Sequence, residues 1–223
     1  YFIGIIKLPI NKKNINKYVN KNFIDQTTFF SNLEKNDKTN MIFLYNNKFF
    51  IPLTIHVELK NVYKYFEKKN YIFNKILSLK KTISTDFNIN NPKMIISGIN
   101  PHAGEEGLIS NDEKKYLIPI INKLKKSNKI NIDGPVSGDG MINKLNLNKY
   151  DVFLFPYHDQ ALIPFKIISN FQGINFTSNL NIIRLSPSHG TAKDLIGSKL
   201  VKTGGLVNCF KIIRKIYKNR NSR

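Results

Sequence analysis

Short apolar runs alternate along the chain with longer stretches in which apolar residues recur every three or four positions. The apolar runs predict strands and are FIGIIKL (2–8), MIFLY (41–45), FFIPLTI (49–55), KMIISGI (93–99), DVFLF (151–155), GINFT (173–177) and NIIRL (181–185). Asn46 and Asn47 lie between the second and third runs, which therefore form a hairpin or two neighbouring strands. This alternation predicts an α/β fold.

Three stretches have the apolar spacing of amphipathic helices. The first and longest is predicted to run from about Leu59 to Phe87, with Val62, Phe66, Ile72 and Ile76 on one face. A second helix is predicted to begin at Asp112, and a last one to cover about Leu206 to Tyr217. The sequence contains no internal repeat and no clear linker.

The formal net charge is +20, from 35 lysines and arginines against 15 acidic residues. The excess is nearly all lysine, spread along the chain among asparagines and isoleucines, the residue set of AT-rich codons. No arginine-rich segment or aromatic RNA-binding signature accompanies it, so a nucleic-acid partner is not expected. A basic surface does favour an anionic, phosphorylated substrate.

Cysteine use and hydropathy indicate the compartment. The single cysteine, Cys209, excludes an internal disulfide, fits a reducing environment and lies in an apolar helical pattern that predicts a buried thiol. No apolar run has the length of a membrane span, and the start of the chain lacks the pattern of a signal peptide. The expectation is a cytoplasmic protein without a membrane partner.

Each of the four histidines follows an apolar run, at positions 56, 102, 158 and 189. In open α/β sheets, ligand sites form beyond the carboxyl ends of the strands. Three imidazoles arriving from three strand ends can present nitrogen ligands to a divalent cation. Any one of these histidines alone is better explained as a structural residue, whereas the set favours a site.

Three motifs give the chain a specific resemblance. NPHAGEEG (100–107), YHDQALIPFK (157–166) and SPSHGTAKDLIGSK (186–199) together resemble the family of 4-hydroxythreonine-4-phosphate dehydrogenase, an NAD-dependent enzyme of vitamin B6 synthesis. The resemblance covers nearly the whole chain in order. It implies a two-domain α/β/α architecture similar to the isocitrate and isopropylmalate dehydrogenase group, and a homodimer with its site at the subunit interface.

The resemblance also implies site residues. The family's divalent metal ligands fall on His56, His102 and His158, where the metal is Zn, Mg, Co or Mn. Substrate-binding positions fall on Thr27, Lys166, Asn175 and Arg184, and a further lysine of the early segment on Lys12. Asp159 and Lys166 are the expected catalytic residues. Asp159 would orient a ligand or a bound water, or relay a proton, and its alternative is a strand-end cap.

Some positions depart from the family pattern. Gln26 replaces a phosphate-binding histidine beside Thr27, and Gly140 replaces a threonine after Asp139. Ser188 stands where the family has an aspartate. These departures concern phosphate affinity and turn geometry more than the type of reaction.

The chain has no GxGxxG motif for a dinucleotide. HGTAKDLIGSK resembles instead the adenosine-binding loop of the isocitrate and isopropylmalate dehydrogenase group. The resemblance therefore implies an NAD or NADP site at His189, Gly190, Thr191, Ala192 and Asp194. An ordinary glycine-containing loop is the alternative.

The same resemblance leads to a domain assignment. Family members carry roughly a hundred further residues before the position of Tyr1, so the first domain is expected to be incomplete. Residues 1–15 and 185–223 are predicted to be the remnant of a cofactor-binding domain. Residues 16–184 are predicted to form the substrate, metal and dimerisation domain.

The implied reaction is NAD-dependent oxidation of 4-phosphooxy-L-threonine to 2-amino-3-oxo-4-phosphooxybutanoate. That product decarboxylates to 3-amino-2-oxopropyl phosphate in pyridoxal 5'-phosphate biosynthesis. Two alternatives stay open. One is a dehydrogenase of a related phosphorylated hydroxy acid such as erythronate 4-phosphate, and the other is a truncated relative that binds metal or phosphate without turnover.

Overall fold

The computed structural model describes residues 2–19, 21, 26–34, 39–68, 70–192, 195–198 and 201–222, without the side chains of residues 12, 26–28 and 31. Strands β1 to β8 lie at Ile5–Ile6, Met41–Tyr45, Lys48–Pro52, Met94–Ser97, Ile132–Val136, Val152–Phe155, Ile174–Thr177 and Arg184–Pro187. Helices α1 to α9 lie at Lys12–Tyr18, Gln26–Leu33, Tyr63–Glu67, Tyr71–Phe87, Ile118–Asn128, Gly138–Met141, Lys144–Lys149, His158–Ser169 and Gly204–Asn221. The predicted α/β class is confirmed.

The chain divides into two compact units, Asn46–Phe165 and the pair of segments Tyr1–Tyr45 and Lys166–Arg223. The sequence-based boundaries, after residues 15 and 184, lie elsewhere. Strand pairing explains the difference, because β2 and β7 are bonded to each other and β7 to β8, which places all three with β1. Which unit binds cofactor and which binds substrate stays a prediction.

The unit Asn46–Phe165 contains four parallel strands in the order β3-β6-β4-β5. β4 and β6 are buried on both faces, which explains the continuous apolar runs Met94–Ile96 and Val152–Phe155. Phe50 of β3 stacks on Phe153 of β6, with ring centroids 5.2 Å apart. Because the strands are parallel, their carboxyl ends lie at one edge of the sheet.

The other unit contains four strands in the order β1-β8-β7-β2. β1 pairs with β8 in parallel, whereas β7 is antiparallel to both β8 and β2. Helix α9 packs against β7 and β8 through its apolar face, on which Cys209, Ile213 and Ile216 are buried.

Several elements differ from the prediction, among them strand β5 and helix α8, which were not predicted, and two apolar stretches show why. The stretch 59–87 is a 3₁₀ turn at Leu59–Asn61 followed by α3 and α4, and not one helix. Lys68 is extended (φ −64°, ψ 107°) and Asn70 is left-handed (φ 75°), and neither conformation continues a helix. The strand predicted at 181–185 begins only at Arg184, because hydrogen bonding to β7 and not apolar character sets its start.

Candidate active site

Three of the four histidines follow three adjacent parallel strands of the unit Asn46–Phe165. His56 follows β3, His158 is the first residue of α8 after β6, and His102 follows β4. His56 and His102 have positive φ angles of 52° and 49°. Such backbone conformations cost free energy and occur preferentially at functional positions.

His56 and His158 are neighbours. Their ring centroids are 5.7 Å apart, and the ring planes are inclined by 39°. Two imidazoles on one tetrahedral zinc ion have centroids about 5 Å apart, given bonds of about 2.1 Å. His56 is exposed and His158 is half-buried, so the pair is accessible to an ion and fits this ligand chemistry.

The carboxylate of Asp159 orients His158. Nδ1 of His158 lies 2.7 Å from Oδ1 of Asp159. A neutral imidazole that donates this hydrogen bond keeps the lone pair of Nε2 for a metal. The carboxylate itself is largely exposed, with 76% of the side chain accessible. This geometry suits the orienting role expected of Asp159.

His102 is exposed and lies on an unusual turn, Pro101–Gly107. Among the residues that the structure describes, no three His, Cys, Asp or Glu side chains form a set able to hold a metal. The single chain therefore brings together two of the three expected ligands. A third ligand from a partner subunit is compatible with this arrangement and stays a prediction.

Asp139 is an acidic neighbour of His102. The Ser137 hydroxyl and the Gly140 amide both hydrogen-bond to its carboxylate and lower its pKa, and the nearby His102 lowers the pKa further. In the sequence, Asp139 was notable only because the next residue, Gly140, departs from the family pattern. The structure shows that it lies near a histidine of the candidate site.

A cavity of about 750 Å³ lies in the other unit, in the size range of small-molecule sites. Its lining includes His189, Gly190, Thr191 and Ala192, four of the five predicted cofactor residues. The remaining wall is mainly apolar and consists of Phe171, Leu195, Ile196, Gly197, Val201 and Lys202. The space and its apolar lining fit the adenosine part of a dinucleotide. The fifth predicted residue, Asp194, lies outside the described residues.

The predicted substrate residues differ in exposure. Lys166 is exposed two turns beyond His158 on α8, and Asn175 is partly buried in β7. Within the described part of the chain, the buried Oδ1 atom of Asn175 has no hydrogen-bond partner, which leaves it available to a ligand. Thr27 and Lys12 lie in helices, and their side chains are outside the described part of the structure.

Arg184 is the most buried of these residues, with 2% of its surface exposed. Its Nη1 atom donates a hydrogen bond to Oγ1 of Thr177, at 2.8 Å. Burial and then repulsion by Arg184 lower the pKa of Lys7, so two cationic groups lie close together here. This electropositive neighbourhood suits an anionic group of a substrate.

Cys209 is a buried free thiol, as expected from its apolar surroundings. Burial raises its pKa to about 12, against a weaker opposing effect of Arg184. A thiol of this kind is no nucleophile near neutral pH.

Sequence reasoning missed two further residues near the histidines. Gln160 donates from Nε2 to the carbonyl of Gly98, at 3.2 Å, and so ties the start of α8 to the end of β4. Glu113, which is 2% exposed, contacts the turn that carries His102. The available sequence signal for Glu113 was an acidic residue directly before an apolar helix. The composition of the chain did not distinguish it from the other acidic residues.

None of the helices in the described ranges is both long enough and apolar enough to cross a bilayer.

Comparisons with known proteins place these features in a family. The chain is 30% identical to a 4-hydroxythreonine-4-phosphate dehydrogenase of Bacteroides thetaiotaomicron over 97% of its length, and spans 59% of that relative. It is 34% identical to the Aquifex aeolicus protein of the same name, over 96% of the chain and 65% of that relative. The chain thus spans about three fifths of these relatives.

A solved structure of 4-hydroxythreonine-4-phosphate dehydrogenase from Klebsiella pneumoniae superposes with a TM-score of 0.78. It is 24% identical, with 96% of this chain and 64% of that chain covered, and so supports the fold alone. The family model described as pyridoxal phosphate biosynthetic protein PdxA matches residues 1–213. Since that match covers nearly the whole chain, the protein belongs to the PdxA family.

Proposed function

We propose that this protein oxidises the secondary hydroxyl of 4-phosphooxy-L-threonine with NAD or NADP. The product, 2-amino-3-oxo-4-phosphooxybutanoate, is a β-keto acid and loses carbon dioxide to give 3-amino-2-oxopropyl phosphate. Membership of the PdxA family and the names of the relatives support this reaction. The observation that carries it here is the neighbouring pair His56 and His158 at the carboxyl ends of parallel strands.

In this proposal the two imidazoles hold a divalent cation (Zn, Mg, Co or Mn), with His102 as the third ligand. A bound divalent cation lowers the pKa of a coordinated hydroxyl and stabilises the negative charge that develops on its oxygen. Neutral imidazoles are suitable ligands because they leave the charge of the cation undiminished. Asp159 accepts the hydrogen bond from Nδ1–H of His158 and fixes that ring with Nε2 free.

The other predicted residues bind the substrate and the dinucleotide. Arg184 and Lys166 are cations for the phosphate or carboxylate, and Asn175 contributes the unpaired amide oxygen. The cavity at His189 to Ala192 receives the adenosine part of the dinucleotide. We further propose a homodimer in the cytoplasm, with the site at the subunit interface and His102 supplied across it.

The test is a coupled measurement of binding and turnover on the protein expressed from its complete reading frame. Reduction of NAD and of NADP is followed with 4-phosphooxy-L-threonine, with and without added divalent cations. Erythronate 4-phosphate is the matched control substrate. Metal-dependent turnover of the first substrate is the expected result.

The other outcomes separate the alternatives. Turnover of erythronate 4-phosphate alone would overturn the substrate assignment and keep the chemistry. Binding of metal and dinucleotide without turnover of either substrate would identify an inactive relative.

A further inference from the structure

The turn that carries His102 has a rare backbone conformation. Five consecutive residues, 102–106, have φ angles of 49°, 52°, 81°, 45° and 52° with small positive ψ, so the chain makes a left-handed helical turn. Only Gly104 among them lacks a Cβ atom. Left-handed conformations are ordinarily single residues, because the Cβ atom crowds the carbonyl oxygen. Contacts from outside must therefore hold this turn in place.

Glu113, in the π-helical turn Glu113–Leu117 that leads into α5, makes several of these contacts. Its Oε1 atom accepts the backbone N–H of Asn100 at 2.8 Å. The side-chain amide of Asn100 lies 3.3 Å from both carboxylate oxygens. Asp112 accepts from the same amide at 3.1 Å. The residue before Pro101 is thus fixed by a pair of carboxylates.

The same carboxylate supports the middle of the turn. A Cβ atom on Gly104 would lie 2.5 Å from Oε2 of Glu113, so the glycine backbone packs directly on this oxygen. The carbonyl of Gly104 in turn accepts the amides of Ile109 and Ser110, at 3.2 and 3.3 Å. Glu113 therefore contacts both the entry and the centre of the turn.

Burial makes this placement costly for a residue without a function. Glu113 is 2% exposed, and in the described ranges no lysine, arginine or histidine forms an ion pair with it. A buried carboxylate of this kind depends on its hydrogen bonds for stabilisation. Within the described part of the chain, the hydrogen-bond donors to its carboxylate all belong to Asn100.

We propose that Glu113 is a positioning residue, whose buried carboxylate fixes the left-handed turn and thereby the direction of His102. This inference rests on the proposed role of His102 as a metal ligand. Glu113 itself contacts neither metal nor substrate in this proposal.

The experiment compares Glu113→Gln and Glu113→Ala with two controls. Glu106→Gln removes an exposed acid from the same turn, and Asp112→Asn removes the charge of the weaker partner of Asn100. Amide hydrogen exchange at 103 and 108–110 reports the turn directly. Competition with a chelator gives the Zn²⁺ affinity of the folded protein, and circular dichroism monitors the fold.

Exchange at these amides should be at least about tenfold faster in Glu113→Ala, and Zn²⁺ affinity should fall about 10- to 100-fold, as for other residues that orient metal ligands. Glu113→Gln keeps the acceptor for the Asn100 N–H and should lie between this variant and the wild type. Glu106→Gln should match the wild type.

Wild-type exchange and affinity in both Glu113 variants would overturn the proposal. A lower melting temperature with unchanged Zn²⁺ affinity of the folded protein would also overturn it, since the role would then be structural alone. If the wild type binds none of Zn²⁺, Mg²⁺, Co²⁺ and Mn²⁺, the proposed function fails, whereas the exchange rates still decide whether Glu113 holds the turn.

Discussion

The ring centroids of His56 and His158 lie 5.7 Å apart, although the two residues follow different strands. The parallel pairing of β3 with β6 brings their carboxyl ends to the same edge of the sheet. The two side chains are therefore placed by the sheet and not by a local sequence motif.

Replacing either member of this pair should weaken metal binding. We expect His56→Ala and His158→Ala each to lower Zn²⁺ affinity by at least about 100-fold, more than the loss of a residue that only orients a ligand. His189→Ala, in the other unit, is the matched control and should leave the affinity unchanged. Isothermal titration measures all three. Wild-type affinity in both alanine variants would contradict a metal site here.

Weakening the hydrogen bond between His158 and Asp159 should lower metal affinity less than removing a histidine. Asp159→Asn keeps an oxygen acceptor and loses the negative charge that favours the Nδ1–H form of the ring. We expect Zn²⁺ affinity to fall about 10- to 100-fold while the fold is retained. Glu58→Gln removes a similarly exposed negative charge two residues after His56, where the carboxylate pairs with Lys60, and serves as the control. Equal affinities of the two variants would assign Asp159 to a strand-end cap.

The cavity at His189 can be filled from Gly190. Among the described residues, no atom lies within 4 Å of a Cβ atom added at Gly190, so the side chain of Gly190→Leu should enter open space without disturbing the core. We expect the dissociation constant of NADH to rise at least about tenfold, with little change in melting temperature. Gly190→Ala, which adds one methyl group, should bind nearly as well as the wild type. Fluorescence titration would show unchanged binding in both variants if the cofactor lies elsewhere.

Arg184 tests the assignment of the substrate residues. Arg184→Lys keeps the charge and loses the planar fork, which should cost about 1.5–3 kcal/mol of substrate binding, or roughly ten- to a hundredfold in KM. Thr177→Val removes one hydrogen-bond acceptor of Arg184 and should affect KM less. Steady-state kinetics separates the two. An unchanged KM in Arg184→Lys would show that the guanidinium only supports the fold.

The buried thiol of Cys209 predicts a loss of stability at high pH. Burial raises its pKa from 9.0 to about 12, so above pH 9 the unfolded chain releases a proton that the folded chain keeps. The free energy of unfolding should then decrease with pH by up to about 1.4 kcal/mol per pH unit, relative to Cys209→Ala. Urea unfolding of both proteins between pH 8 and about pH 11 measures this difference. If the free energies of unfolding of the two proteins change with pH in parallel, the thiol is solvated in the folded state.

The sequence by itself determined the class of fold, the strands with continuous apolar runs and the family. The run DVFLF predicts a strand whatever its partners are, because its consecutive apolar side chains must be buried on both faces of a sheet. The family could be recognised from the motifs around His102, His158 and His189. These motifs are visible in the sequence because local turns and ligand chemistry require particular residue types.

Only the tertiary structure decided which strands share a unit and which side chains meet. β2 and β7 are distant in sequence, and hydrogen bonds that no periodicity encodes join them. The same limit hid Glu113, because its sequence neighbours say nothing of the turn at Asn100 that its carboxylate holds. Apolar periodicity reports which residues leave water, whereas pairing and buried polar contacts depend on the path of the whole chain.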